Sequence, residues 1–285
     1  MSRPAAAGER FATDAAEVAS LRDHLTAFVA EYVDGAGATE VVVNMSGGVD
    51  STVAATLAVE ALGEENVYGL LLPCNLGTAA EQQDALVVAE SLGIEYSTLQ
   101  LQPLLNQFLD QISSEVETRG ERIALGNVTA RFRMVCAYFV ANVRSSLVLG
   151  TTNRTEWLLG YFTKHGDGGT DFLPLGDLYK VEVRALAREL GVPDDIVEKP
   201  ATAGLWAGQT DRDELGVEYD TVDRVLRALV DREWSVDRVA AELAVDHDTV
   251  ADIVATVRQT RHKRRPKPTP SSGPVADRSM PSHRR

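Results

Sequence analysis

Apolar side chains recur at helical spacing through Asp14–Val33, where Val18, Leu21, Leu25, Phe28, Val29 and Tyr32 share one face. This period predicts an amphipathic helix. Glu40–Met45 then runs apolar and β-branched, as a buried strand does. A Ser-Gly-Gly turn follows, and a second helical pattern runs from Ser51 to Leu62 until Gly63 stops it. The alternation continues with strand Val67–Leu72, helix Ala79–Leu92, strand Ile94–Leu99, helices Leu101–Glu117 and Ile123–Val143, and a short strand Ser146–Leu149. Further helices are expected over Lys180–Leu190, Tyr219–Asp231, Ser235–Leu243 and Asp248–Arg261. Strand–helix alternation predicts an α/β fold, a parallel sheet flanked by helices with right-handed crossovers. Ligands of such sheets sit at the carboxyl ends of the strands. Two stretches lack any period. Gly150–Asp171 is polar and glycine-rich, and Pro200–Val217 reads as a long loop of the kind that forms lids. Ala203–Gly216 is expected to close over the reacting group and exclude water.

The turn after the first strand carries the chemistry. Asn44-Met45-Ser46-Gly47-Gly48-Val49-Asp50-Ser51 joins a strand to a helix N-terminus, where free N–H groups and the helix dipole favour an anion. The two glycines let the backbone approach a bulky ligand. Ser46, Ser51 and Thr52 add hydroxyls. A carboxylate at Asp50 would repel a polyphosphate unless a divalent cation lay between them, and Mg²⁺ suits that pairing. No Lys follows the glycines as in a Walker A loop, and no GxGxxG is present.

Composition narrows the partners. Hydrophobic residues make up 44% of the 285, enough to bury a core in one large α/β domain. No apolar run reaches the length of a membrane span, and Met1–Glu9 has no secretory apolar segment. Cys74 and Cys136 form no CxxC pair, so a cytoplasmic location without a disulfide framework is expected. The net charge is −14, but eight of the 28 basic residues and one of the 42 acidic ones follow Thr260, which leaves residues 1–260 at −21. Such a body argues against nucleic acid as the main partner. Only five of the basic residues are Lys. The acidic, Lys-poor balance resembles that of halophilic archaeal proteins, whose self-repulsion high salt screens. The domain is expected to span 1–265, followed by a disordered basic tail over 266–285, rich in Pro, Ser and Arg.

The Ser-Gly-Gly-x-Asp-Ser loop resembles that of the N-type ATP pyrophosphatases, and three further blocks line up in order with one of their families, the NAD synthetases. They are Asn127–Met134, the Gly150–Asp171 stretch with Gly-Tyr-Phe-Thr-Lys-His-Gly-Asp-Gly-Gly, and Lys199–Trp206; His262-Lys263-Arg264 is a fifth match. The resemblance implies a Rossmann-like sheet of the adenine nucleotide alpha hydrolase type and a homodimer, with Phe28 and Tyr32 as candidate interface residues. It implies amidation of deamido-NAD by ammonia through an adenylate, with ATP as co-substrate and Mg²⁺ as cofactor. By the same resemblance Asn44, Met45, Ser46, Gly47, Gly48, Val49, Asp50, Ser51, Thr151, Lys180 and Thr202 match ATP-binding positions. Asp50 and Glu156 match the metal ligands. Tyr32, Arg131, Tyr138, Lys164, Asp171, His262 and Lys263 match positions that hold the dinucleotide, and Asp167 is a candidate for the ammonia step. Asp50, Lys180 and Asp167 are thus the expected catalytic set.

Plainer readings stand beside these. Glu156 fits a helix cap as well as a metal ligand. Arg131 and Arg133 are two apart on a helix and do not share a face. Tyr32 and Tyr138 fit half-buried core, and His262–Arg265 fits a solvated basic run. A tRNA thiolase of the same fold would want paired cysteines and a basic surface, both missing here. A non-catalytic nucleotide-binding module would not need Glu156, Lys180 and Thr202 together. The chain has no room for the amidase domain of glutamine-using relatives, so free ammonia is the expected donor.

Overall fold

The computed structural model describes residues 11–74, 79–112, 115, 122–200 and 216–266. Four parallel strands form one sheet in the order β3-β2-β1-β4. They are β1 (Val41–Asn44), β2 (Val67–Leu71), β3 (Glu95–Thr98) and β4 (Leu147–Leu149). Val41 pairs with Val67 on one side and with Leu147 on the other. β1 is therefore central, and its valines are fully buried.

Alternation along the strands sends side chains to both faces. Val41 and Val43 join one core with α1 (Ala15–Gly35), α2 (Val49–Leu62) and α7 (Lys180–Glu189), while Val42 joins another with α4 (Gln102–Ile112) and α5 (Arg122–Arg144). Each such valine stabilises the fold by roughly 1.5–3 kcal/mol. α3 (Ala79–Ser91) crosses between β2 and β3. At the amino end of the sheet Arg144 grips both oxygens of Glu40, at 2.7 and 2.9 Å, and also Glu95, with its guanidinium over the Tyr68 ring.

A third core belongs to the C-terminal helices α9 (Tyr219–Leu226), α10 (Val236–Leu243) and α11 (His247–Gln259), and it also includes Leu159 and Tyr179. The single helix expected over Tyr219–Asp231 becomes a π turn from Arg227. That widened turn sets Asp231 against Arg154 and the Tyr179 hydroxyl. Two short helices that periodicity did not reveal are α6 (Arg154–Leu159) and α8 (Asp194–Val197); six and four residues are too few to display a period. The basic run near the end forms α12 (Arg261–Arg264). Thr202, nearly all of the expected lid and the tail from Lys267 lie outside the described residues. Among those described, no helix is long and apolar enough to cross a membrane.

Candidate active site

From β1 the chain moves outward to β2 and β3, then returns to the other side of β1 as β4. The order of strand addition reverses between β1 and β4, and sheets of this kind bind ligands at the carboxyl ends beside such a reversal. Both loops of the expected ATP site leave from those ends. Gly47 has φ +76°, the left-handed region that suits glycine, and turns the chain toward α2. Gly48 caps α2 without a side-chain hydrogen bond. The Ser51 and Thr52 hydroxyls donate to Gly48 O at 3.0 and 2.9 Å, and both residues are buried. They shape the loop rather than face outward. Ser46 stays nearer the surface, 3.0 Å from Ser51 Oγ. Asn44 Oδ1 is buried and meets no donor among the described residues.

Asp50, in the first turn of α2, is the meeting point of the two loops. Asn153 Nδ2 donates to its Oδ1 at 2.9 Å, and Lys180 Nζ bonds its Oδ2. Asn153 and Lys180 are buried. Glu156 Oε1 lies 3.6 Å from the same ammonium. Two carboxylates thus converge on one cation, each with some surface left open. Glu156 is also the cap that its spacing suggested: it completes a capping box in which Asn153 accepts from Glu156 N–H and Glu156 accepts from Asn153 N–H. The two readings of Glu156 coexist, because the cap uses Oε2 and Oε1 faces Lys180. Thr151 lies two residues beyond the end of β4, on the loop that leads to Asn153. A Cβ on neighbouring Gly150 would lie 2.4 Å from Thr170 Oγ1 and 2.5 Å from Leu173, so the strand end admits no side chain there.

A second group sits along the outer edge of β4. Phe172 bridges to Leu149, and Asp171 accepts from Val148 N–H at 2.7 Å. Tyr138 donates to the other Asp171 oxygen at 3.0 Å, and Tyr32 donates to the Asp171 carbonyl at 3.0 Å. Burial, together with Asp171, pushes the Tyr138 hydroxyl up to about 12, so it stays a donor. Tyr32 stacks on Phe172 at 4.6 Å and remains 40% exposed, so it is no core tyrosine. Two expected dinucleotide residues, Tyr32 and Tyr138, are therefore brought onto a third, Asp171, one at its carbonyl and the other at its carboxylate.

Of the remaining ones, Arg131, Lys164 and Lys263 meet at the Gly160–Gly169 loop. Lys263 Nζ donates to Gly160 O at 2.6 Å and Phe162 O at 2.7 Å, which anchors the loop to α12. Burial lowers its ammonium from the ordinary value. Arg131 donates to Lys164 O at 3.2 Å, while Arg133 turns to Leu72 O, as expected of residues on different faces. Asp167 accepts from Thr163 N–H at 2.8 Å and is exposed, and His262 is exposed. Asn153, Thr155, Phe172 and Asp223 emerge only from the structure. Of these, Asn153 was signalled by its capping-box spacing to Glu156.

Residues 21–267 match the model of the NAD synthase family. The NH(3)-dependent NAD(+) synthetase of Halobacterium salinarum is 44% identical over 256 residues, covering 90% of this chain and 94% of the relative. That of Thermococcus kodakarensis is 44% identical over 241 residues, covering 85% and 92%. Among solved structures, NMN synthetase from Francisella tularensis superposes with a TM-score of 0.79 at 35% identity, over 89% of this chain and 98% of that one. The NH3-dependent NAD synthetase from Campylobacter jejuni gives 0.73 at 31%, over 88% and 98%. These matches extend over the sheet, both loops and the C-terminal helices, and the chain therefore belongs to the NAD synthase family.

Proposed function

We propose that the chain amidates deamido-NAD with ammonia at the expense of ATP, giving NAD, AMP and pyrophosphate. The observation that carries this reading is the convergence of Asp50, Asn153, Glu156 and Lys180 where the sheet reverses direction, in a chain so close to ammonia-dependent synthetases. A carboxylate is a poor acyl donor. Its oxygen attacks the α-phosphorus of ATP, the bond to the β-phosphate oxygen breaks, and pyrophosphate leaves. Ammonia then attacks the acyl carbon, AMP departs with the carboxylate oxygen that had attacked phosphorus, the carbonyl oxygen stays in the amide, and the nitrogen loses a proton.

Lys180 holds a fixed positive charge beside the departing phosphates. The loop from Ser46 to Asp50 cradles them. Two carboxylates on one cation form a donor set that fits a hard divalent ion completed by phosphate oxygens and water. Asp50 and Glu156 would hold Mg²⁺, which supplies charge neutralisation for the leaving group. Tyr32, Tyr138, Asp171 and Phe172 form a shelf for the acceptor, with an aromatic face and directed hydrogen bonds.

The test is an assay in molar KCl, which suits the acidic body, with deamido-NAD, ATP, Mg²⁺ and ammonium. NAD and AMP are expected in equal amounts with ammonium, and none with glutamine in its place. A parallel tube replaces the acceptor by nicotinic acid mononucleotide, because a structural relative is named for the mononucleotide product. Its kcat/KM is expected to be at least about tenfold lower. Preference for the mononucleotide would reassign the acceptor, and absence of AMP from every tube would overturn the reaction.

The active form is read as a homodimer. On α5 Val135, Phe139 and Val143 recur every four residues and are 56%, 67% and 71% exposed. A stripe of that size on one helix face marks a protein contact. Phe28 and Tyr32, the earlier interface candidates, contact Phe172 and keep 37% and 40% of their surface exposed, so they stand beside the α5 stripe as a second candidate face. Phe139→Asp is expected to sediment as a monomer while the unchanged chain sediments as a dimer. Equal sedimentation of both would move the interface elsewhere.

A further inference from the structure

Asp223 is a carboxylate with no exposed surface, set in α9 among Val222, Val225 and Leu226. It is far from either loop in sequence and matches no motif. A buried carboxylate is costly unless its oxygens are satisfied. Here both are. Oδ1 accepts from the Thr155 hydroxyl at 2.5 Å, and Oδ2 accepts from Val181 N–H at 2.9 Å. Thr155, itself fully buried, accepts from Lys180 N–H at 3.0 Å. One side chain thus binds the first turn of α6 and the first turn of α7. The residue after Thr155 is Glu156, and the residue before Val181 is Lys180.

We infer that Asp223 is a positioning residue for phosphoryl chemistry, holding α6 and α7 in the register that makes Glu156 and Lys180 face Asp50. The physical reason is geometric. The carboxylate is a double acceptor with two fixed directions, and each direction ends on the helix that presents one of the site's charges. The Thr155 hydroxyl completes the tie, because it donates to Asp223 and accepts from Lys180 N–H at once. Helix starts that depend on a neighbour in this way cannot slide without orphaning an N–H group. Burial pushes the Asp223 carboxyl up to about 7, and the Lys180 charge opposes that rise.

The inference rests on Lys180 acting on ATP, so the experiment separates the two. Asp223→Asn, Thr155→Val, Thr155→Ser and Lys180→Ala are made in the full chain. Each is assayed for NAD and for pyrophosphate, and each is checked for folding by circular dichroism and thermal midpoint. Asn keeps the size but turns one acceptor into an NH2 donor that opposes a donor. Asp223→Asn is expected to lose about 10- to 100-fold in kcat while KM for deamido-NAD stays within threefold, since that shelf is built from α1, α5 and the β4 edge. Thr155→Val is expected to do the same without touching the carboxylate, and Thr155→Ser, which keeps the hydroxyl, to recover most of the rate. A tie that served stability alone would shift the midpoint and leave the kcat of the folded variants unchanged. A kcat within threefold of the unchanged chain in either folded variant overturns the role, as does a loss in Thr155→Ser equal to that in Thr155→Val. If Asp223→Asn fails to fold, the Thr155 pair decides. Full activity in Lys180→Ala would instead refute the assignment of Lys180.

Discussion

Lys180→Met is expected to reduce kcat for NAD formation by about 10³-fold or more, in a protein that still folds. Met keeps the length of the buried stem and removes only the ammonium. That ammonium bonds Asp50 and lies 3.6 Å from Glu156, with 2% of the side chain exposed. Removing one fixed electrostatic stabiliser of a developing charge costs about 10²–10³ in kcat. Here the loss is larger, because the two carboxylates are left facing each other and an incoming polyphosphate without compensation. Breaking a buried ion pair by deleting one partner also destabilises by about 3–5 kcal/mol. The lower end applies, since Asp50 has 18% of its side chain exposed and keeps its bond from Asn153. Steady-state kinetics with a thermal melt measures both parts. A kcat within tenfold of the unchanged chain would remove Lys180 from the mechanism.

Asp50→Asn is the second variant with a large expected effect. It also loses about 10³-fold, but for a different reason and with a different signature. The amide oxygen can still accept from Asn153, so the loop is held. Its NH2 group, however, meets the Lys180 ammonium donor to donor, and one of the two candidate metal ligands is gone. Raising Mg²⁺ is therefore expected to leave the variant far below the unchanged chain, where saturation is reached readily. Rescue to full rate at high Mg²⁺ would mean that Asp50 tunes affinity only. Because Lys180 and Asp50 act as one unit, the double variant is expected to be no more than about tenfold worse than either single one. Multiplicative losses would show that the two act independently.

How far the sequence disclosed this site depends on which residue is asked about. The strand ends were legible, because Val41–Val43, Val148 and Leu149 form buried apolar runs that polar turns interrupt. Asp50 was legible for a chemical reason, since a carboxylate inside an anion loop asks for a counter-ion. Lys180 came through resemblance alone. Composition offers no reason for a lysine to be buried at the start of α7, and its bond to Asp50 spans 130 positions. Thr155 and Asp223 were not legible. A buried Asp on an apolar helix face looks like any polar interruption until its two acceptors are located. Phe172 was missed because its role depends on pairing beside β4, which a one-residue bridge does not announce. Hydroxyl content misled at Ser51 and Thr52, whose hydroxyls turned to Gly48 O instead of outward.

The sheet order sets when the enzyme becomes an enzyme. β1, β2 and β3 are consecutive in the chain, and their pairing closes only modest loops. β4 reaches β1 across about a hundred residues, and the ties on which the site depends join residues 68 to 130 positions apart. Contacts of such long range form late, after loop-closure entropy has been met. The nascent chain therefore holds its glycine loop long before any partner for Asp50 has arrived, and a fragment that ends before Leu147 would carry the motif and none of the activity. A ligand that binds only the completed arrangement raises its stability, so ATP is expected to raise the thermal midpoint of the whole chain and not that of such a fragment.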